Sequence, residues 1–197
     1  MILCFIDTET GSAKPYNTAL LQVAFILYDT EKKKFIDKFN MYCKPFESDP
    51  VPEDGALLVN HIIREDIEEF PNPVIVQQGM CEVFGKHVDK FNTKDKMQFV
   101  AYNAPFDYEV LQKFWKKCNE DAGTLKNYLG SWFWKQPLDV MILAAEFLKE
   151  ERPEMKNFKQ LTVAEQLGIE FNEDELHDAL EDIKLMIKIY KKIGCLK

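Results

Sequence analysis

The chain has little of what staples or anchors a protein. Five cysteines occur in 197 residues: Cys4, Cys43, Cys81, Cys118 and Cys195. Their number is odd and no Cys-x-x-Cys occurs, which argues against a disulfide framework and against a cysteine-based zinc site. No apolar run reaches the roughly 18 residues needed to span a membrane, and Asp7 and Glu9 interrupt the N-terminal apolar run too early for a signal peptide. Internal repeats and low-complexity tracts are missing. Basic residues are outnumbered, 25 Lys and Arg against 33 Asp and Glu, for a net charge of −8. That balance argues against non-specific coating of a polyanion, but it leaves room for a nucleic-acid enzyme whose acidic centre is neutralised by metal ions. The expectation is a soluble, cytoplasmic protein with no membrane partner, folded as one domain over residues 1–197.

The most informative stretch is Phe5-Ile6-Asp7-Thr8-Glu9-Thr10-Gly11. The apolar run from Ile2 to Ile6 reads as a buried strand ending in two carboxylates one residue apart. Alternate residues of a strand share a face, so Asp7 and Glu9 point the same way, about 7 Å apart along the backbone. Two anions so placed repel each other, and a divalent cation is the simplest compensation. With this many acids the acid-x-acid pattern arises about five times by chance, so its position before Thr-Gly at the end of a buried strand carries the signal.

The rest of the chain supplies an α/β order. Leu20–Tyr28 and Phe35–Cys43 read as strands around the polar turn at Asp29–Lys34, giving three antiparallel strands. Pro45–Gly55 is a loop, Ala56–Phe70 one or two short helices, and Val74–Phe91 a helix by its apolar spacing. Met97–Tyr102 is another strand, and Pro105 opens a helix reaching about Cys118. Trp132–Leu138 is an aromatic patch with a short strand. Asp139 caps a helix through Leu148, Leu161–Leu167 is a short helix, and Asp174–Ile193 a long amphipathic one. The expected fold is a mixed sheet, antiparallel at one edge, with helices packed on it and a site at the carboxyl ends of the strands, where Asp7 and Asp107 lie.

Two further elements join the first carboxylate pair. Asp107 falls in the first turn of a helix after a strand, a position where the helix dipole favours an anion. His177 and Asp182 are five apart on the expected last helix, about 140° around its axis, and both can look into one broad cleft. His-x4-Asp is expected by chance only about 0.2 times in this composition.

Taken in order, Phe-Ile-Asp-Thr-Glu-Thr-Gly, Ala101-Tyr102-Asn103-Ala104-Pro105-Phe106-Asp107 and His177-x4-Asp182 resemble the three motifs of the DEDDh branch of the 3′–5′ exonucleases. The resemblance spans essentially the whole chain and implies a ribonuclease H-like fold, the first three strands antiparallel and the others parallel. It implies two Mg²⁺ ions, with Mn²⁺ as a substitute, held by Asp7, Glu9, Asp107 and Asp182, and His177 as general base or orienter of the attacking water. The implied activity is hydrolysis of single-stranded DNA from its 3′ end with release of nucleoside 5′-monophosphates, with RNA as the alternative substrate. A non-catalytic nucleic-acid-binding module is a minor alternative, disfavoured because clustered carboxylates are costly to keep without a use.

For the terminal nucleotide, Thr8, Thr10 and the Gly11 turn are expected to offer donors to the 3′-OH and sugar, and Asn103 and Phe106 to touch the base or sugar. Asn60 stands where relatives often have a substrate-facing histidine, with His61 one residue later, and Asn60 is preferred. Gln22 reads as structural, Asp139 as a helix cap, His87 as a polar helix residue, and Asp178 and Glu181 as solvated helix face. Trp132, Phe133 and Trp134 suit either base stacking or packing. Oligomeric state is not legible.

Overall fold

A computed structural model of the chain describes residues 1–123, 127–172 and 177–196. Five strands form one sheet in the order β3-β2-β1-β4-β5. Strand β1 (Ile2–Thr10) lies in the middle, antiparallel to β2 (Leu20–Asp29) and parallel to β4 (Gln98–Ala101). At one edge β3 (Lys34–Tyr42) runs antiparallel to β2; at the other, the two-residue β5 (Leu138–Asp139) runs parallel to β4. The expected mixed sheet is thus present, antiparallel across its first three strands and parallel beyond.

Alternation along β1 divides the core in two. Cys4 and Ile6 face one layer, with α2 (Pro73–Gly85) and α3 (Ala104–Asp121), where Phe84, Leu111 and Trp115 are fully buried. Leu3 and Phe5 face the other, with α4 (Val140–Phe147), α5 (Gln160–Gln166) and α6 (Ala179–Lys192). A sheet covered on both faces reads as continuous apolar sequence, which is why β1 and β2 show little polar alternation. A smaller cluster of Leu21, Leu57, Ile62 and Ile67 seats the short α1 (Asp54–Val59) at the carboxyl end of β1.

Several boundaries differ from the sequence reading. β1 does not stop at Ile6: β2 is long enough to pair with it as far as Thr10, so Asp7 and Glu9 lie inside the strand, opposite Ala24 and Gln22. Helix α2 ends at Gly85, short of Phe91. The long last helix begins at Ala179, because Asp178 ends the preceding chain as an N-cap; positions 174–176 of the expected helix lie outside the described residues. Trp132 and Phe133 are core residues packed around Phe84, and only Trp134 is exposed. Among the described residues no helix is long and apolar enough to cross a membrane.

Candidate active site

The alternation that sorts the core also sorts the carboxylates. Asp7 and Glu9 continue the Leu3–Phe5 face, towards α6; Thr8 continues the Cys4–Ile6 face, towards α3. On the α6 side, ligand oxygens of Asp7, Glu9 and Asp182 all lie within 4.8 Å of one another. On the α3 side, the Thr8 hydroxyl donates to Asp107 Oδ1 at 2.7 Å, and the Thr8 backbone N–H donates to the same carboxylate. Asp107 is therefore tied to the strand from its other face, outside the tight group of three but close enough to act on it. Its charge is the strongest of those pushing Asp7 upward.

All four acids are held above the ordinary carboxylate range. Burial is the leading cause in each case, followed for Asp7 and Glu9 by their like-charged neighbours. Glu9 is pushed up to about 8, Asp107 to about 7 and Asp182 to about 6. Hydrogen bonds from Thr8 and from the His177 backbone N–H oppose the rise at Asp107 and Asp182. Among the described residues no lysine or arginine forms an ion pair with any of the four. An anionic, all-oxygen donor set with no protein cation to balance it is the chemistry a hard divalent cation requires.

The third motif is arranged differently from the expected helix face. His177 sits before α6 with a left-handed backbone, φ 67°. Asp178, expected as solvated surface, is the N-cap: its Oδ1 accepts from the backbone N–H groups of Leu180 and Glu181. Its Oδ2 accepts from Gln22 Nε2 at 2.9 Å, and the same Gln22 amide donates to Asn40 Oδ1. The buried Gln22 is thus structural, as expected, and pins the start of α6 to β2. The His177 backbone N–H reaches the Asp182 carboxylate across the helix start, so about 140° of rotation along one helix does not describe the pair.

Near His177 lies His61, also left-handed at φ 54°, with ring centroids 6.4 Å apart. Burial lowers the proton affinity of His177, and His61 and Lys159 lower it further. Of the four non-glycine residues with positive φ among those described, three, His61, Asn103 and His177, surround this site. Such backbone is uncommon outside glycine and concentrates at functional positions.

The residues expected to contact a terminal nucleotide divide into two groups. The donors of Thr8, Thr10 and Gly11 are engaged within the chain. The Thr8 hydroxyl serves Asp107, the Thr10 hydroxyl donates to the Ser12 carbonyl at 2.8 Å, and the Gly11 N–H to the Ala19 carbonyl at 2.9 Å. A Cβ on Gly11 would meet Pro52 at 3.0 Å, so glycine there permits a close backbone approach. Asn60 is buried and donates from Nδ2 to the Thr10 carbonyl at 3.1 Å. Asn60 thus braces the strand end, while His61 is exposed beside His177. Asn103 is exposed and Phe106 half-buried at the start of α3. Asp139 caps α4 through the Met141 N–H, as expected, and also accepts from the Asn103 N–H. His87 lies 3.0 Å from Asp37, away from this centre.

Comparison with known proteins agrees with the fold. The sequence profile of the RNase T family, described as exonuclease, matches residues 4–190. No curated protein sequence matches the chain significantly. Among solved structures, exonuclease I superposes with a TM-score of 0.76 at 22% identity, covering 100% of this chain and 41% of that one. The Escherichia coli exonuclease I complex with a dT13 oligonucleotide gives 0.73 at 22%, covering 99% and 41%. A 3′-exonuclease that recognises a histone mRNA stem-loop gives 0.70 at 18%, covering 99% and 83%. The chain spans about two-fifths of the exonuclease I chains it matches. Family membership implies dependence on a divalent metal ion, in keeping with the clustered acids. On the profile match and the motifs it covers, the chain belongs to the DEDDh-type 3′–5′ exonuclease family.

Proposed function

We propose that this protein removes nucleoside 5′-monophosphates one at a time from the 3′ end of single-stranded DNA, using two Mg²⁺ ions for which Mn²⁺ can substitute. The observation that carries the reading is the convergence of Asp7, Glu9 and Asp182 within 4.8 Å, with Asp107 acting on the same group. Asp7, Glu9, Asp107 and Asp182 would hold the ions. When bound, the ions supply Lewis acidity at the phosphoryl group and lower the pKa of the attacking water.

The chain's own residues do the rest. Thr8 holds the Asp107 carboxylate so that one of its oxygens has a fixed direction. Asp178 and Gln22 set the turn that carries His177 to the edge of the carboxylate group. His177, its proton affinity lowered, is neutral at physiological pH and takes a proton from the water attacking phosphorus. His61 and Asn103 face the scissile end, and Phe106 packs against the terminal base. Thr8, Thr10, Gly11 and Asn60 build the strand end from within and do not offer side-chain donors to the sugar.

A second reading, 3′–5′ trimming of RNA, is favoured by one observation: the chain covers 83% of the RNA-recognising 3′-exonuclease but 41% of exonuclease I. Parallel digestion of 5′-labelled DNA and RNA oligonucleotides of one sequence decides between them. Faster shortening of the DNA supports the first reading; faster shortening of the RNA overturns it.

A further inference from the structure

On α3, Phe106, Lys113 and Lys117 lie on one stripe. The lysines are seven and eleven residues beyond Phe106, so at about 100° per residue each falls within roughly 20° of it around the axis. The stripe runs from the candidate site to a cavity of about 220 Å³ between α3 and the loop that follows β1. Val110, Phe114, Leu20 and Phe46 give this cavity an apolar floor, and Tyr16 stands at its rim, exposed. Four ammonium groups line it, from Lys44, Lys113, Lys116 and Lys117, against two carboxylates, Asp49 and Glu120. Each ammonium already has a carboxylate partner, Lys44 with Glu68, Lys113 with Glu109, Lys116 with Glu120 and Lys117 with Asp49, so the wall offers cations held in pairs and not a net positive charge.

The lysines differ in how they are held. Lys117 is paired with the buried side chain of Asp49 and is part of the wall. Lys113 lies 2.8 Å from Glu109, with its ammonium 5.8 Å from the Tyr16 ring centroid, and Lys116 lies 3.8 Å from Glu120. The first pair is half-buried and the second exposed, and ion pairs open to solvent are weak, so a phosphate can take the place of the carboxylate. The wall is also continuous with the site. Its loop begins at Gly11, directly after the carboxylate strand, and is fastened by Thr10 to Ser12 and by Ser12 to Thr18.

We infer that this cavity seats the 5′-ward part of the single-stranded substrate, phosphates against Lys113 and Lys116 and a base against Tyr16 over the apolar floor. The inference rests on the exonuclease reading for the direction of the strand. Lys113 lies about 10 Å along the helix from Phe106 and Lys116 about 15 Å. At roughly 3.4 Å per nucleotide of a stacked strand, these are three to five nucleotides upstream of the scissile end. A dinucleotide reaches the carboxylates but not the cavity; a 20-mer reaches both.

The test compares the two lengths. The variants are Lys113→Gln/Lys116→Gln and Tyr16→Ala, with Lys33→Gln/Lys34→Gln at the opposite end of the sheet as a charge-matched control. KM for a single-stranded 20-mer is expected to rise about tenfold in the first two and to stay within about twofold in the control. Turnover of the dinucleotide is expected to be unchanged in all three. The slope of log KM against log salt should fall by about 1.4 for the double lysine variant, roughly 0.7 for each phosphate of a single strand that is no longer neutralised. Equal KM for the 20-mer in wild type and variants, or an equal change for both lengths, overturns the inference. Fluorescence anisotropy of the 20-mer in EDTA reads the track without hydrolysis. A wild type that cleaves neither length sinks the exonuclease reading, and anisotropy then decides the track: a tenfold loss of affinity in the variants keeps it, and equal binding removes it.

Discussion

Four carboxylates, each held above its ordinary range mainly by burial and crowding, make a site that is unfavourable by itself and favourable once cations arrive. The pH dependence has a definite sign. Glu9, Asp107 and Asp182 are raised to about 8, 7 and 6, against unfolded values near 4. The metal-free native state therefore holds protons that the unfolded chain has released. The stability these groups contribute is fully present below about pH 4 and is lost as pH rises through 6 to 8. In EDTA the melting temperature should fall between pH 5 and 9. Glu9→Gln, with one anion fewer, should melt higher than wild type at pH 8 and decline less steeply; a variant with the wild-type slope would contradict the assignment of strain to this cluster. His177→Ala should lower kcat by about 10²–10⁴ while the Mn²⁺ concentration giving half-maximal stabilisation stays within about threefold. Wild-type turnover in that variant would remove the proton-transfer role.

At the scale of elements, the site is a consequence of strand alternation. Asp7 and Glu9 share a face and meet Asp182 from α6; Thr8, between them, faces the other way and holds Asp107 from α3. Spacing alone foretold the first half, because a two-residue period needs no tertiary information. The second half was hidden, since a threonine between two acids carries no mark of its distant partner. The start of α6 was hidden for a similar reason. Leu180, Ile183, Ile187 and Tyr190 show the helical period, but apolar periodicity does not report where a helix begins, and Asp178 decides that by capping. Asn60 and His61 were separable only once α1 was seated on Leu21, Leu57 and Ile62, which buries the first and leaves the second outside. Two predictions belong here. Asp178→Ala should cost about 0.5–2 kcal/mol as a lost cap, and should also lower kcat, because His177 and Asp182 flank the same turn. Full activity with reduced stability would mean that the cap does not position the histidine. Asn60→Ala should destabilise the protein with little change in KM, whereas His61→Ala should raise KM with little change in melting temperature; the reverse pattern would restore Asn60 as the substrate-facing residue.

At the scale of the whole molecule, a two-sided core fixes a central strand, and the carboxyl end of that strand concentrates negative charge that the protein itself does not balance. Divalent ions should therefore stabilise the fold by mass action, by about 2.7 kcal/mol at a hundredfold excess over the dissociation constant. An unchanged melting temperature in saturating Mn²⁺ would mean that the cluster does not bind the ion. The most direct measurement is digestion of a 5′-labelled single-stranded DNA oligonucleotide by wild type and Asp7→Ala, each in Mg²⁺ and in EDTA. The account predicts a ladder shortening one nucleotide at a time from the 3′ end, seen only for wild type in Mg²⁺. Internal fragments, or shortening that persists in EDTA or in Asp7→Ala, would contradict it.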